Sequence, residues 1–382
     1  MKTAILALRS LNVQLSGARR KSVEIAALGL CLFLSVGALA QQPAATYTQI
    51  DAPGAGTGAN QGTYAAGINA SGAIVGKYLD AGNLYHGFVR SPGGVYATID
   101  APGAGTGAYQ GTVASGINTS GVIAGDYGDA NGVIHGFVRS ATGVITVFVA
   151  PGAGTGVNQG TRTRNISPGG VIAGYYQDAG NAYHGFVRAA SGTITPFDAP
   201  GAGAGPSQGT YVGAIAAGGA VTGFYLDGGN GVHGFVRAAN GTITPFDAPG
   251  AGTAAYHGTY AIDINAQGAI AGSYTDAGSV NHTYLRTSKG VVIKFKVPGA
   301  GTGKYQGANA GEINPAGAIA GYYQDASNVF HGFVRSPNGT ITTFDVPGAG
   351  NLVVPYGINV AGAVSGFYND AAQVVHGFLR TP

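Results

Sequence analysis

Of the 382 residues in this chain, 70 are glycine and 17 are proline, whereas only 35 are charged (19 Lys and Arg, 16 Asp and Glu). Charged residues make up 9% of the sequence, against roughly 25% in an ordinary soluble domain. Apolar residues reach 45%, and this high apolar content excludes a solvated, disordered chain. Residues 1–40 hold five basic side chains and one acidic one, so the remainder carries 14 basic and 15 acidic residues and lacks the positive charge of a nucleic-acid-binding protein.

The first 40 residues are typical of an export signal. A basic stretch at 19–21 precedes an apolar run over 25–39, which ends in the small residues that signal peptidase accepts. The run is shorter than the roughly 20 apolar residues of a membrane-spanning helix. We therefore expect cleavage after Ala40 and a mature chain, 41–382, that is secreted or periplasmic and has no membrane span. This mature chain has no cysteine, which excludes thiolate metal sites and thiol catalysis.

Tandem repetition organises the rest of the sequence. The string Pro-Gly-Ala-Gly recurs every 49 residues, accompanied by His-Gly-Phe-Val-Arg or a near variant. We number seven repeats from the prolines that begin the first string, which are Pro53, Pro102, Pro151, Pro200, Pro249, Pro298 and Pro347. A period of 20 to 50 residues indicates a solenoid or a propeller.

Each repeat has the pattern of four short strands. In repeat 1 the segments 63–68, 73–80, 85–90 and 95–100 are separated by turn residues such as Asn, Ser, Gly and Pro. No window has helical spacing of apolar residues. The repeat is therefore predicted to be a four-stranded antiparallel meander.

The two ends of the chain favour a propeller over a solenoid. Residues 47–51 match a fourth strand but precede any first strand, and the last repeat stops after its third strand. An N-terminal strand that completes the last blade would close the ring and remove exposed sheet edges. A solenoid gives no reason for one displaced strand. We predict an all-β fold, a seven-bladed β-propeller of four-stranded antiparallel blades in a single domain over 41–382.

The repeat resembles a known family. The unit Ile-Asn-x-x-Gly-x-Ile-x-Gly-x-Tyr-x-Asp, followed by His-Gly-Phe and Asp-x-Pro-Gly-Ala, is similar to the HAF-repeat proteins of the bacterial cell exterior. Six repeats have His-Gly-Phe, and repeat 5 has His282-Thr283-Tyr284. The resemblance covers 41–382 and implies a bacterial, exported repeat protein, but it transfers no catalytic residue.

Each repeat carries one Asp and one His six residues apart. If Tyr78 pairs with Phe88 across the hairpin, Asp80 faces His86 on the same side of the sheet. One carboxylate and one imidazole are too few ligands for a closed metal site, so we expect structural hydrogen-bonded pairs and no metal. The pairs are Asp80 and His86, Asp129 and His135, Asp178 and His184, Asp227 and His233, Asp276 and His282, Asp325 and His331, and Asp370 and His376.

The loop between consecutive repeats contains the ligand-binding candidates. Uncharged amides beside tyrosine rings suit sugar hydroxyls, although a glutamine could equally hold down its own loop. The candidates are Gln61, Gln110, Gln159, Gln208, Gln306 and His257, together with Tyr109, Tyr256 and Tyr305.

A single active site on a repeated scaffold should depart from the repeat. Position 67 is glycine in repeat 1, but its counterparts in repeats 5 and 6 are Asp263 and Glu312, and Glu312 is the only glutamate in 41–382. Two carboxylates on neighbouring innermost strands could act as acid and base on a glycosidic bond. Such substitutions also arise freely in repeats, so these residues are weak catalytic candidates.

Three functions remain open at this point. The first is an exported, non-enzymatic propeller that binds an extracellular polysaccharide, with several similar blades adding avidity. The second is a structural or interaction module that binds a cell-surface protein, and the third is a polysaccharide hydrolase or lyase. We expect a monomer without cofactor, metal or nucleic-acid partner.

Overall fold

This computed structural model describes residues 45–382, so the predicted signal peptide at 1–40 lies outside the described residues. The described part forms 28 strands and no helix, which confirms the all-β prediction, and it therefore has no helix that could cross a bilayer. The strands are β1 Thr46–Ile50, β2 Gly62–Ile68, β3 Ile74–Leu79, β4 Tyr85–Arg90, β5 Tyr96–Ile99, β6 Gly111–Ile117, β7 Ile123–Gly128, β8 Ile134–Arg139, β9 Ile145–Phe148, β10 Gly160–Ile166, β11 Ile172–Gln177, β12 Tyr183–Arg188, β13 Ile194–Phe197, β14 Gly209–Ile215, β15 Val221–Leu226, β16 Val232–Arg237, β17 Ile243–Phe246, β18 Gly258–Ile264, β19 Ile270–Thr275, β20 Asn281–Arg286, β21 Val292–Phe295, β22 Gly307–Ile313, β23 Ile319–Gln324, β24 Phe330–Arg335, β25 Ile341–Phe344, β26 Val353–Ile358, β27 Val364–Asn369 and β28 Val375–Thr381.

Within a repeat the strands pair antiparallel in chain order. In repeat 1, β2 pairs with β3, β3 with β4 and β4 with β5, and repeats 2 to 6 follow the same pattern. Asn69 turns the chain after β2, because its Oδ1 accepts N–H bonds from Ser71 (3.1 Å) and Ala73 (2.9 Å). Asn83 turns the chain after β3 in the left-handed region, at φ 63°, which asparagine tolerates well. Polar turn residues thus delimit the strands.

The N-terminal strand pairs with the last repeat. Repeat 7 contributes only β26, β27 and β28, and β1 pairs antiparallel with β28, with Tyr47 opposite Arg380 and Ile50 opposite Gly377. Ile50 is fully buried. The predicted displaced strand therefore supplies the fourth strand of the seventh unit.

Consecutive repeats meet through a short parallel bridge at a glycine. Gly111 of repeat 2 pairs with Tyr85 of repeat 1, and Gly62 of repeat 1 pairs in the same way with Val375 of repeat 7. Gly62 has φ 115°, and a Cβ there would lie 1.9 Å from the carbonyl oxygen of Val375, so no larger residue fits.

The core lies between neighbouring units and is built on one aromatic ring in each third strand. Phe88 faces Gly76 across the hairpin, and a Cβ on Gly76 would lie 3.0 Å from the Phe88 ring and 2.1 Å from the carbonyl oxygen of Tyr64. The glycine therefore leaves room for the ring, whose burial contributes to stability. The buried rings are Phe88, Phe137, Phe186, Phe235, Tyr284, Phe333 and Phe378.

Asparagine side chains also tie neighbouring repeats together, at the turn after the first strand. Asn69 Nδ2 donates to the carbonyl of Asn118 (3.0 Å), and Asn314 Nδ2 donates to the carbonyl of Asn359 (2.9 Å). Asn359 Nδ2 in turn donates to the carbonyl of Asn69 (3.3 Å). The last repeat is thus bonded to the first as consecutive repeats are bonded to each other.

Candidate functional site

The loop between repeats lies beside the turn that joins the second and third strands. In repeat 1, the Gly56 N–H donates to the carbonyl of Leu79 (2.8 Å), at the end of β3. The Asn60 N–H donates to the carbonyl of Gln373 (2.8 Å), in the corresponding turn of repeat 7. One edge of the protein therefore carries both sets of loops, and the ligand-binding candidates lie on this edge.

The loop glutamines hold this loop in place. Gln61 Oε1 accepts the N–H of Gly58 (3.0 Å), and its Nε2 donates to the carbonyl of Ala81 (3.2 Å) and to Asn83 Oδ1 (3.1 Å). In repeat 5, His257 Nε2 lies 3.1 Å from Ser279 Oγ. The same loop-closing bonds are made by Gln110, Gln159, Gln208 and Gln306. Both ends of each glutamine amide are thus engaged within the protein.

The three candidate tyrosines lie on the same loops, in a backbone conformation that is costly for them. Tyr109, Tyr256 and Tyr305 have φ between 62° and 66°, where other repeats place Asn or Ser. Tyr109 and Tyr305 are 66% and 56% exposed, and Tyr256 is half-buried. A left-handed conformation costs an aromatic residue on the order of 1 kcal/mol. Burial does not repay this cost at Tyr109 and Tyr305.

Every repeated histidine contacts the aspartate predicted for it, but the second and third strands pair in a different register from the one expected. His86, rather than Phe88, lies opposite Tyr78 and stacks on that ring with centroids 4.9 Å apart. Asp80 lies in the turn, where its Oδ1 accepts the N–H of Gly82 (2.8 Å) while its Oδ2 lies 3.6 Å from His86 Nε2. The Nε2–Oδ2 distance ranges from 2.8 to 3.6 Å over the seven pairs. The aspartate therefore shapes the turn and orients the imidazole.

A second aspartate, which the sequence analysis missed, contacts the other side of the imidazole. Asp100 follows β5, and its Oδ1 lies 2.8 Å from His86 Nδ1. The same contact is made at 2.7 to 3.0 Å by Asp198, Asp247, Asp345 and Asp51 in repeats 3, 4, 6 and 7. The signal was present, because the family unit Asp-x-Pro-Gly-Ala begins with this residue. Repeats 2 and 5 have Val149 and Lys296 at this position.

The turn aspartates favour their ionised form. Burial acts to raise the pKa of Asp276, but the hydrogen bond from His282 and the N–H groups of Val280 and Gly278 outweigh it, so its pKa is lowered. The pKa of Asp129, Asp227 and Asp325 is lowered in the same way. The imidazole thus contacts at least one fixed negative charge in these repeats.

Two cavities occupy the same position in different repeats. A cavity of about 350 Å³ in repeat 4 lies between Asp227, His233 and Asp247 on one side and the loop residues Ala251 to Thr253 on the other. A smaller cavity, of about 140 Å³, lies between His376 and Asp51 and the loop of repeat 1. We call the position defined by this histidine, its two acid positions and the facing glycine-rich loop the histidine pocket.

The described residues 45–382 contain no cluster of three or more His, Cys, Asp or Glu side chains arranged to hold a metal ion. Within a histidine pocket the two carboxylates approach opposite nitrogens of one ring, so the imidazole lies between them. That arrangement suits hydrogen bonding to a ligand hydroxyl at the exposed carboxylate.

The weak catalytic candidates lie on adjacent first strands and accept backbone hydrogen bonds. Asp263 accepts the N–H of Ile264 (2.8 Å) and of Ile313 (2.8 Å) in the next repeat, and Glu312 accepts the N–H of Ile358 (3.3 Å). Burial raises the pKa of Asp263 to about 6. Burial, and next the charge of Asp263, raises the pKa of Glu312 to about 8. Neither cavity described above includes these acids, and their hydrogen bonds link neighbouring repeats.

Comparison with known proteins identifies the fold but not a family. No known protein family matches the sequence, and no curated protein sequence matches it either. A streptogramin B lyase has a similar structure, with a TM-score of 0.55 and 15% identity over 88% of this chain and 98% of the lyase. The BP39L lectin from Burkholderia pseudomallei has a TM-score of 0.55 and 9% identity over 82% of this chain and 94% of the lectin. At such identities the likeness concerns the propeller-like fold alone.

Proposed function

We propose that this protein is an exported, non-enzymatic β-propeller of seven blades that binds carbohydrate in its histidine pockets, with an extracellular polysaccharide as ligand. Export is supported by the signal-like residues 1–40 and by the resemblance to HAF-repeat proteins. The similar lectin structure is consistent with the proposed ligand class without assigning it.

The contacts between the first and last repeats support the seven-bladed ring. β1 pairs with β28, Gly62 bridges to Val375, and Asn359 donates to Asn69, each in the manner seen between or within other repeats. The cavity at His376 likewise combines residues of repeat 7 with the loop of repeat 1. A ring in which every repeat has two neighbours accounts for all four contacts.

The recurrence of one cavity at equivalent positions is the observation that carries the binding proposal. The larger cavity is close to the lower end of the roughly 300–1,000 Å³ that is usual for ligand sites. Asp247 is 55% exposed and presents a carboxylate that can accept hydrogen bonds from sugar hydroxyls, while the small loop residues allow a ligand to approach the backbone closely. The pocket thus offers fixed acceptors beside a concave surface.

The candidate tyrosines lie at the rims of these pockets. The N–H of Tyr256 donates to the carbonyl of Asn230 (2.8 Å), next to Gly231, which lines the larger cavity. Tyr109 and Tyr305 make the same bond to Asn83 and Ser279 (both 2.7 Å). A tyrosine ring is a good surface for the apolar face of a sugar, and ligand binding would explain why the strained rings of Tyr109 and Tyr305 are exposed.

The test is binding of the mature protein, residues 41–382, to a panel of neutral and acidic polysaccharides by isothermal titration calorimetry. Replacing the five second acids (Asp51, Asp100, Asp198, Asp247 and Asp345) by Asn should weaken binding of a neutral polysaccharide about tenfold or more, because the pockets lose their charged acceptors. The double Tyr→Ala variant at 109 and 305, whose rings are exposed, should weaken binding about tenfold or more without lowering the melting temperature.

A matched control comes from three exposed valines, Val95, Val144 and Val291, which are 72%, 66% and 58% exposed and lie at the turns after the third strands. Their triple alanine variant should bind like the wild type. Absence of binding to every polysaccharide by folded protein would overturn the proposal. Binding that is unchanged in both the Asn and the Tyr variants would place the ligand elsewhere and would also contradict it.

A further inference from the structure

The histidine pocket of repeat 5 has a lysine at the position where five of the other six repeats have the second aspartate. Its imidazole keeps the turn aspartate, with His282 Nε2 2.8 Å from Asp276 Oδ2, and stacks on Tyr274 at 4.8 Å. The second acid is replaced by Lys296, which is exposed. A pocket that elsewhere presents a carboxylate to solvent therefore presents an ammonium group here.

Two further lysines lie around this pocket. Lys294 is exposed and lies two residues before Lys296, so both side chains project from the same face of the sheet. The Nζ of Lys294 is 6.0 Å from the centre of the Tyr274 ring. Lys304 lies on the loop that faces the pocket, with its Nζ 4.9 Å from the ring centre of Tyr305.

Most lysines of the described residues lie at this one pocket. The described residues contain five lysines, and three of them surround this one pocket, whereas the ion pairs found in 45–382 join only histidine and aspartate. Because the charges of 41–382 otherwise nearly cancel, the local excess is not a consequence of a basic protein. An anion approaching this edge would be repelled by the exposed carboxylates of repeats 1, 3, 4, 6 and 7 and attracted only at repeat 5.

We propose that the histidine pocket of repeat 5 is a subsite for the anionic group of an acidic polysaccharide, a uronate carboxylate or a sulfate ester. The inference rests on the proposed function and narrows it to a ligand class. Lys296 and Lys294 bind the anion, while Tyr305 at the rim stacks on the sugar ring. The remaining pockets bind the hydroxyl groups of uncharged sugars in the same polysaccharide.

The experiment compares polygalacturonate with its fully methyl-esterified form, which has the same backbone without the charge, by calorimetry on the mature protein. Sulfated dextran and neutral dextran form a second pair that distinguishes sulfate from carboxylate. Wild-type protein should bind one charged polymer about tenfold or more tightly than its neutral partner, and added salt should remove the difference. The double variant K294T/K296D has the residues of repeat 1 at these positions and should lose this preference.

The control is Lys289→Ala, at a turn outside the pocket, which should retain the preference. Repeat 2 also lacks the second acid, and Val149→Lys would place a lysine there. This variant should create a second subsite for an anion, seen as increased stoichiometry or avidity. Binding of neutral polymers with no preference for charge, unaffected by K294T/K296D, would overturn this inference while leaving the proposed function standing. Failure to bind any polymer would overturn the proposed function itself. Circular dichroism verifies folding, since all substituted lysines are exposed.

Discussion

Asp263, which is buried, and Glu312, which is half-buried, predict an unusual pH dependence of stability. Glu312 has a folded-state pKa of about 8, raised by burial and by the adjacent Asp263 against the opposing N–H of Ile358 and the charge of Arg164. An unfolded chain releases this proton near the ordinary value of 4.5. Between these two values the folded protein holds more protons than the unfolded one, so its stability falls as the pH rises.

The size of the effect follows from proton linkage. Each pH unit in that interval costs about 1.4 kcal/mol of unfolding free energy for a single group, so the step from about pH 5 to about pH 7 costs roughly 3 kcal/mol. For a domain of this length, 1 kcal/mol corresponds to roughly 1 to 2 °C in melting temperature. Glu312→Gln cannot ionise, and it should therefore melt close to the wild type at the lower pH and roughly 3 to 6 °C above it at the higher pH.

The assay is the melting temperature of both proteins across this pH range, read as the difference between variant and wild type. Taking the difference cancels the contribution of groups common to both proteins, histidines above all. Asn338→Ala is the control, because it removes no titratable group from an exposed turn, so the difference should stay flat over this range. Parallel melting curves for Glu312→Gln and wild type would refute the reasoning, since they would mean that Glu312 ionises without penalty in the folded protein.

Two further predictions concern the contacts between the first and last repeats. Deleting 41–51 removes β1 with its fully buried Ile50 and leaves β28 without its outer partner, so the melting temperature should fall by about 10 °C or more. A synthetic peptide of residues 45–52 should restore part of this loss. An unchanged melting temperature would contradict the role of β1. Asn359→Ala removes the hydrogen bond to Asn69 and two hydrogen bonds within its turn, so it should lower the free energy of unfolding by about 1 to 3 kcal/mol in chemical denaturation. Asn338→Ala, at an exposed outer turn, should lower it by less than about 1 kcal/mol. Equal losses in the two variants would contradict the role of the bond between repeats.

Strand positions could be predicted closely from the sequence because turn chemistry marks their ends. The predicted strand at 85–90 coincides with β4, and the predicted strand at 63–68 differs from β2 by one residue. The register of the hairpin between β3 and β4 was wrong by two residues. The Asp80 N–H bonds to the carbonyl of Leu84 (3.1 Å), so the turn is two residues shorter than the expected pairing of Asp80 with His86 requires, and Tyr78 faces His86 instead of Phe88. Register depends on turn geometry that residue types alone do not determine.

The candidate site was only partly predictable. Pairing of Asp80 with His86 is local in sequence, whereas Asp100 lies 14 residues from His86 and reaches it only because β5 pairs with β4. The sequence places the loop glutamines between consecutive repeats, but the bonds of Gln61 to Ala81 and Asn83 could not be inferred without the path of the loop. Residue spacing thus identified the elements, but their contacts required three-dimensional pairing.

The variation among repeats separates what the fold requires from what a ligand would require. Every repeat keeps the histidine, its turn aspartate and the tyrosine beneath the ring, as expected of residues that shape the turn. The second acid is different, since repeats 2 and 5 fold in the same way with Val149 and Lys296 in its place. A carboxylate that the fold does not need is exposed in five of the seven histidine pockets, and this supports the proposed role of the pockets in binding a ligand. The same reasoning applies to Lys296, because a reversed charge at this position alters the surface offered to a ligand without altering the strand that carries it.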